Sequence, residues 1–295
     1  MVAAEAYATC LRLARQHYEN FPVASRLVPA ASRPHIAAIY AFARMADDFA
    51  DEGDHPAAER LARLEEWQWR LHEAAEGRTQ TDDSDASRVF TALMHTMRDC
   101  RLELQPFDDL LSAFGQDVVV TRYETWADLL DYCRRSANPV GRLVLRVCGY
   151  SDAALDPPSD AICTALQLTN FWQDLAVDWA KGRLYVPRDV RDEAQADEGD
   201  LDRREWTPAW QYAMRESARR TRERFEQGRP LVDMVRGRLR HELRATWLGG
   251  MRVLDKLEAG NYDVFERRPS LGWRDGILLG WRVLRWRPAV SRPRQ

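Results

Sequence analysis

Two acidic pairs lie far apart in this sequence, and each sits inside an apolar segment with helical spacing. The first pair is Asp47 and Asp51, and the second is Asp174 and Asp178, so the members of each pair are four residues apart. Residues at this spacing lie on one face of an α-helix, about 5–6 Å from each other. Burying such carboxylates without partners is costly. The pattern therefore predicts a helical fold whose polar faces hold a metal ion and an anion.

Each acidic pair extends into a longer polar stripe. The two stripes have steps of three or four residues and consist of Tyr40, Arg44, Asp47 and Asp51, and of Gln167, Asn170, Asp174 and Asp178. Hard oxygen ligands of this kind suit Mg²⁺, which is usually bound by carboxylates together with phosphate oxygens of a substrate. A single pair of this kind is more often a solvated helix face. Two pairs with apolar flanks favour the metal interpretation.

The composition is that of a soluble globular protein. The 295 residues are 45% hydrophobic and 30% charged, with a net charge of −3, so nucleic acid is not suggested as a partner. We predict one domain over 1–295, with a core over 17–268 and a basic aromatic tail over 269–295. Five scattered cysteines without a CxxC pair indicate reduced thiols. Neither a secretory signal nor an apolar run of about 18 residues is visible, which predicts a cytoplasmic protein.

Helical periodicity dominates the chain, and alternating strand patterns are nearly absent. The fold class is therefore predicted to be all-α. The helices are predicted over 3–18, 34–51, 57–76, 87–98, 107–121, 126–136, 140–148, 160–179, 208–224, 232–257 and 273–284. The acidic, apolar-poor stretch 191–205 is predicted to be a flexible surface loop.

The C-terminal segment has its own composition. From Arg267 onward the chain has eight arginines and one acid, interleaved with tryptophans. Ile277, Trp281 and Leu284 share one helical face, as in a basic helix that lies on an anionic membrane surface. A terminal helix that packs on the core, with tryptophan as a filler, explains the composition equally well.

Several motifs together resemble the squalene and phytoene synthase family of head-to-head isoprenyl diphosphate synthases. They are Tyr40-Ala41-Phe42-Ala43-Arg44-(2)-Asp47-Asp48-(2)-Asp51, the run 167–187, Arg122-Tyr123, Val140-Gly141 and Asn261-Tyr262-Asp263-Val264-Phe265. The segments 20–26, 46–54 and 136–142 are most similar to the hopanoid-pathway branch of hydroxysqualene synthases, HpnC. The resemblance covers about 17–268.

The resemblance implies an isoprenoid synthase fold, a single helical bundle around a central cavity. It also implies a reaction in which presqualene diphosphate is ionised with Mg²⁺ and quenched by water to give hydroxysqualene. The metal ligands implied are Asp47, Asp51, Asn170, Asp174 and Asp178. The residues implied to contact the metals, the diphosphate or the substrate are Tyr40, Arg44, Gln167, His17, Asn20, Arg183, Tyr185 and Tyr262.

Two departures from the family pattern bear on the reaction. Relatives that condense two farnesyl diphosphates usually have a Lys near Glu19 and an Arg near Gln173. Their absence here fits a substrate with one diphosphate. Condensation to presqualene diphosphate, squalene or a phytoene-like product stays open, as does a catalytically inactive assembly factor on the same fold.

Two further hypotheses concern the cavity. An apolar, aromatic lining would protect a carbocation from random water, and Phe21, Phe42, Phe171 and Trp172 are candidates, although aromatic residues at helical spacing are more often core. Asn138, next to Pro139, is a candidate for holding the attacking water. Capping of the helix that begins near Pro139 is the alternative.

Overall fold

The computed structural model describes residues 3–16, 28–51, 55–80 and 82–287, and these form helices and no strand. The all-α prediction is confirmed. The chain divides into two compact units, one of residues 1–120 and 139–152 and the other of residues 121–138 and 153–295. No helix among the described residues is long and apolar enough to cross a membrane. All five cysteines are free.

The first unit is built around the helix α2, Arg33–Asp51, whose residues from Ile36 to Phe42 are buried. Phe42 contacts Trp67, Phe90 and Phe107 at ring centroid distances of 5.6 to 6.0 Å. A fully buried aromatic side chain contributes roughly 1.5–3 kcal/mol, so this cluster is the main apolar core around the first acidic helix. The helices of this unit are α1 Ala3–Gln16, α2 Arg33–Asp51, α3 Ala57–Ala75, α4 Asp85–Cys100, α5 Gln105–Val119 and α7 Asn138–Val147, of which only Asn138 belongs to the second unit.

The second unit is built around the helix α8, Asp156–Ala180, which packs on the helix α11, Pro208–Gly228. Gly228 and Gly250 permit close helix approach, since a Cβ on Gly228 would lie 2.4 Å from Ile162 Cγ1 and one on Gly250 would lie 2.3 Å from Phe225 Cζ. The second acidic stripe therefore lies on a tightly packed helix. The helices of this unit are α6 Trp126–Ser136, α8 Asp156–Ala180, α9 Arg188–Ala194, α10 Glu198–Asp202, α11 Pro208–Gly228, α12 Leu231–Met234, α13 Gly237–Ala259 and α14 Trp273–Leu284.

Two predictions of local structure are wrong. The stretch 191–205 contains most of α9 and all of α10 instead of a flexible loop. Arg191 is buried there, donating to Val186 O at 3.1 Å and pairing with Glu198 at 2.8 Å, and Leu201 is buried as well. The stretch 232–257 is not one helix, because the chain is extended at Val235 and Arg236, and Gly237 has φ +63°.

Candidate active site

The first polar stripe lies on one face of α2, as its spacing predicts. Tyr40 is buried, Arg44 and Asp47 are half-buried, and Asp51 is exposed at the end of the helix. Arg44 Nη1 lies 3.6 Å from Asp47 Oδ2, and Arg44 Nη2 lies 2.6 Å from Asp48 Oδ1. The negative charge of this stripe therefore faces a cation from its own helix.

The second polar stripe lies on α8. Gln167, Asn170, Asp174 and Asp178 are all half-buried and alternate with fully buried neighbours such as Leu168. The helix therefore presents a line of amide and carboxylate groups at the edge of an apolar core. Such a line needs hydrogen-bond or ionic partners.

Asp174 has a cationic partner that the sequence did not indicate. Arg268 holds it with two nitrogens, Nε at a short distance from Oδ1 and Nη2 at 3.3 Å from Oδ2. The adjacent Gln173 donates from Nε2 to the carbonyl of Pro269 at 2.5 Å. The segment after the motif that ends at Phe265 is thereby fastened onto α8. The only signal in the sequence is the Arg267-Arg268 doublet behind that motif, and it carries no information on distance.

The donor groups of both stripes fit a magnesium site. Each helix brings two carboxylates to one face, and the Arg268 contact shows that the Asp174 carboxylate is positioned to face a cation. Among the described residues, no group of three or more His, Cys, Asp and Glu side chains is arranged to hold a metal ion. Mg²⁺ commonly takes only one or two protein carboxylates and fills its other positions with waters and phosphate oxygens. That the two stripes face each other across a cavity stays a prediction.

Tyr262 follows α13 in an unusual backbone conformation. Asn261 and Tyr262 both have positive φ, 51° and 61°, which costs energy for residues other than glycine. The Tyr262 side chain is buried, and this burial raises the pKa of its hydroxyl, with a smaller contribution from Glu258. The phenol is therefore held in its neutral form. His17 and Asn20, the other predicted contacts of the diphosphate end, lie outside the described residues.

Tyr185 belongs to an aromatic cluster in the second unit. Its ring stacks on Phe171 at a centroid distance of 3.7 Å, and Tyr132 and Tyr123 lie 6.2 and 5.8 Å away. Arg183, half-buried two residues earlier, donates its backbone N–H to the carbonyl of Asp178 at 2.8 Å. The connection after α8 is thus held next to the end of the second stripe.

Two of the aromatic candidates for a cavity lining are core residues. Phe42 is fully buried in the aromatic cluster of the first unit. Trp172 is fully buried in the second unit, where it donates from Nε1 to Thr221 Oγ1 at 2.8 Å and stacks on Trp126. Neither ring is accessible to water or ligand. Phe21 lies outside the described residues.

Asn138 lines a cavity of about 550 Å³ within the second unit. Its Oδ1 accepts a hydrogen bond from Thr164 Oγ1 at 2.9 Å, and both side chains are buried. The hydrogen bond of this side chain is therefore with α8. The other residues of the lining are Leu130, Pro157, Pro158, Asp160, Ala161, Arg224, Gln227 and Pro230.

The sequence matches a known family and several characterised relatives. Residues 14–275 match the model of squalene/phytoene synthase. A hydroxysqualene synthase from Zymomonas mobilis is 42% identical over 63% of this chain and 60% of its own length. A hydroxysqualene synthase from Rhodopseudomonas palustris is 38% identical over 77% of this chain and 75% of its own length. A 15-cis-phytoene synthase from Synechococcus elongatus is 32% identical over 95% of this chain and 93% of its own length.

A solved structure has the same fold. The crystal structure of squalene synthase HpnC from Alicyclobacillus acidocaldarius superposes with a TM-score of 0.81 at 38% identity, over 88% of this chain and 95% of that one. A dehydrosqualene synthase has a TM-score of 0.83 at 21% identity over 96% of this chain and 97% of that chain, which shows the fold alone. The fold implied by the sequence motifs is confirmed.

Proposed function

Because the chain belongs to the squalene/phytoene synthase family, we propose that it converts presqualene diphosphate and water to hydroxysqualene and diphosphate, with Mg²⁺ as cofactor. The proposal rests on the carboxylates that each stripe brings to one helix face and on the similarity to hydroxysqualene synthases at 42% and 38% identity. The chain would then act in hopanoid biosynthesis, next to enzymes that supply presqualene diphosphate and consume hydroxysqualene.

Mg²⁺ would be held by carboxylate and amide oxygens of both stripes. Once bound, it would stabilise the negative charge that develops on the leaving diphosphate. The residues proposed to hold it are Asp47, Asp51, Asn170, Asp174 and Asp178. Diphosphate leaves poorly unless this charge is stabilised, so the carboxylates are the residues on which turnover depends most.

The remaining residues of the stripes bind and orient the diphosphate. We assign Arg44 and Gln167 to its oxygens as donors, with Arg183 at the end of α8 and the neutral Tyr262 hydroxyl as further donors. Arg268, already held at Asp174, places an additional guanidinium beside the second stripe. Preorganised donors of this kind lower the barrier because they need no reorganisation during the reaction.

Gln173 is the single observation that favours hydration over condensation. It stands where condensing relatives usually have an arginine, it is neutral, and its amide donates to the Pro269 carbonyl. A site that must hold two diphosphates at once needs more positive charge than a site that holds one. The absence of an arginine at position 173 itself therefore fits a substrate that carries one diphosphate.

Condensation of two farnesyl diphosphates is the second candidate function. It is favoured by the similarity to the phytoene synthase of Synechococcus elongatus, which extends over 95% of this chain. An inactive assembly factor is disfavoured, since such a protein has no need for the aspartates of both stripes.

Product analysis tests the proposal. The purified chain is incubated with Mg²⁺ and either presqualene diphosphate or farnesyl diphosphate in ¹⁸O-labelled water, and products are identified by mass spectrometry. We expect labelled hydroxysqualene from presqualene diphosphate and no coupled product from farnesyl diphosphate. A C30 or phytoene-like hydrocarbon from two prenyl diphosphates contradicts the proposal, and absence of diphosphate release from both substrates supports the assembly factor.

The same assay tests Asn138 as the residue that holds the attacking water. In Asn138→Ala, this role requires a lower ratio of alcohol to hydrocarbon products at unchanged stability. An unchanged product ratio assigns Asn138 to the Thr164 contact alone.

We also propose that the chain acts in the cytoplasm and contacts the inner membrane peripherally through its C-terminal segment. Substrate and product are both C30 lipids, so a membrane surface is where they are available.

A further inference from the structure

The C-terminal helix α14 is oriented by contacts at both of its ends. Near the start of the helix, Asp275 is buried and binds Arg252 Nε at 2.8 Å, the Lys256 ammonium, and the backbone N–H of Gly272 at 2.8 Å. The face of α14 that turns toward α13 is therefore fixed by a buried, charge-paired carboxylate.

Just beyond the last turn, Trp286 provides the second anchor. Its Nε1 donates to Asp233 at 3.2 Å, its ring meets Trp247 at 5.4 Å, and the guanidiniums of Arg229 and Arg244 lie over it. The contacts of Asp275 and of Trp286 lie on the same side of α14, so they fix the direction in which the opposite side of the helix faces.

That opposite side is apolar, which is the reverse of an ordinary surface helix. Trp273, Ile277, Trp281 and Leu284 form a stripe along it, with 73%, 67%, 53% and 80% of their surfaces exposed. Gly280 lies between them and has open space around it. We define these four large side chains as the outer stripe. A contiguous exposed stripe with two tryptophans marks an interaction surface rather than scattered surface residues.

The charges beside the outer stripe identify its partner. Arg274 lies over the Trp273 ring at 5.2 Å and Arg285 over the Trp281 ring at 4.5 Å, and both follow the same flank of the helix. The one acid of α14, Asp275, faces inward and is already paired. The outer side of the helix thus combines apolar surface with cations and no anion.

An anionic lipid surface satisfies all of these groups together. Tryptophan side chains favour the boundary between headgroups and acyl chains, and arginines bind the phosphates above it. In a two-fold contact between copies the same side of α14 would meet itself, bringing the same arginines and no acid of the helix, and so would give these cations no counter-charge. We propose that the outer stripe of α14 docks the protein on membranes rich in anionic phospholipid, with Arg274 and Arg285 at the headgroups. This extends the proposed function by naming the docking surface, and its test needs no substrate.

The test measures binding of the full chain to vesicles of phosphatidylcholine alone and with 30% phosphatidylglycerol. We expect co-sedimentation with the anionic vesicles, release by 0.5 M NaCl, and weak binding to the neutral ones, because attraction to anionic headgroups is screened by salt. Equal binding to both vesicle types, or none to either, overturns the proposal.

The outer stripe is tested with a matched pair of double variants. Trp273→Ser with Ile277→Ser should reduce binding to anionic vesicles at least tenfold. The control, Trp69→Ser with Val119→Ser, removes a tryptophan and a β-branched residue of similar exposure, 54% and 62%, from the first unit and should bind like the unaltered chain. Equal losses in both variants contradict the proposal.

The arginines are tested in the same way. Arg274→Gln with Arg285→Gln should weaken binding about fivefold for each arginine, which corresponds to ~1 kcal/mol per cation near the surface. Arg98→Gln with Arg134→Gln removes two exposed arginines elsewhere and should have no effect.

Sedimentation velocity without lipid identifies another occupant. If the unaltered chain is a dimer that the outer-stripe variant converts to a monomer, and vesicles are not bound, the stripe is a contact between copies and the lipid proposal is wrong. A monomer that binds anionic vesicles supports it.

Discussion

The two aspartate stripes obtain their counter-charge in different ways. On α2, Arg44 lies one turn before Asp47 and is supplied by the same helix. On α8, the cation at Asp174 is Arg268, which is 94 residues away in the sequence. The first arrangement forms whenever the helix forms. The second exists only once α13 and the segment after it are in place, so it reports the tertiary structure of the second unit.

The largest effect is expected from removing one carboxylate of either stripe. Asp47→Asn and Asp174→Asn should each reduce turnover by several orders of magnitude, because each removes metal charge stabilisation of several kcal/mol, and 1.36 kcal/mol corresponds to tenfold in rate. Diphosphate release measures the loss, and circular dichroism checks the fold.

The matched control is Asp202→Asn, the same change at an exposed position of α10, which should stay close to the unaltered rate. Normal Mg²⁺-dependent turnover in Asp47→Asn would mean that the first stripe does not hold the metal ion. The two stripes would then differ in function as well as in the origin of their counter-charge.

A smaller effect concerns how firmly the second stripe is supported. Gly228→Ala places a methyl group 2.4 Å from Ile162 Cγ1 and 2.8 Å from the Pro158 carbonyl, so the backbone of α8 must move. We expect a loss of about 1–3 kcal/mol in the free energy of unfolding, measured by urea denaturation.

Gly115→Ala in the first unit is the counterpart. The nearest atom to its new methyl group would be Leu61 Cδ2 at 3.9 Å, and we expect no loss and a gain of up to ~1 kcal/mol from helix propensity. Equal destabilisation by both variants would mean that the two units do not differ in helix packing at these positions.

The remote cation is tested with Arg268→Gln. Because Arg268 and a metal ion both engage Asp174, we expect the substrate-free variant to bind Mg²⁺ about twofold to fivefold more tightly, as suits a partly exposed ion pair of up to ~1 kcal/mol. The measurement is the shift of the thermal midpoint during a Mg²⁺ titration. Arg267→Gln removes the same charge one residue earlier and should leave the titration unchanged.

The smallest effect is expected at Asp275. Like Asp174, this carboxylate is paired with cations from elsewhere in the chain, but it has no proposed role in metal binding. The Lys256 ammonium, the Gly272 N–H and Arg252 hold the pKa of Asp275 well below its usual range. A lowered folded pKa gives stability that is complete above the unfolded value of about 3.9 and is lost as the pH falls through the folded pKa.

We therefore expect α14 to detach from α13 more readily, and to be cleaved faster, in Asp275→Asn than in the unaltered chain at any pH above about 4. Limited pepsin digestion between pH 2 and 5 should show this difference closing as the pH falls. A difference that already vanishes at pH 5 would mean that the carboxylate does not hold the helix.

The fold and both stripes could be predicted because they depend on local spacing. A helix places residues three and four apart on one face whatever surrounds it. The ordered stretch 191–205 could not be predicted, since its helices depend on Arg191 reaching Glu198 and the Val186 carbonyl inside the folded unit. Spacing also gave no means to separate core rings from lining rings, and Phe42 and Trp172 proved to be core.

The short segment from Arg268 to Ser270 joins two sites that have been described separately. Arg268 is bound to Asp174, and the Ser270 carbonyl accepts from Lys256 at 2.6 Å, the same lysine that holds Asp275 of α14. Membrane docking through α14 and Mg²⁺ binding at the second stripe therefore depend on one connected set of bonds. Coupling between two binding events is reciprocal, so we expect an anionic membrane to change the affinity for Mg²⁺ by the same factor by which Mg²⁺ changes the affinity for the membrane.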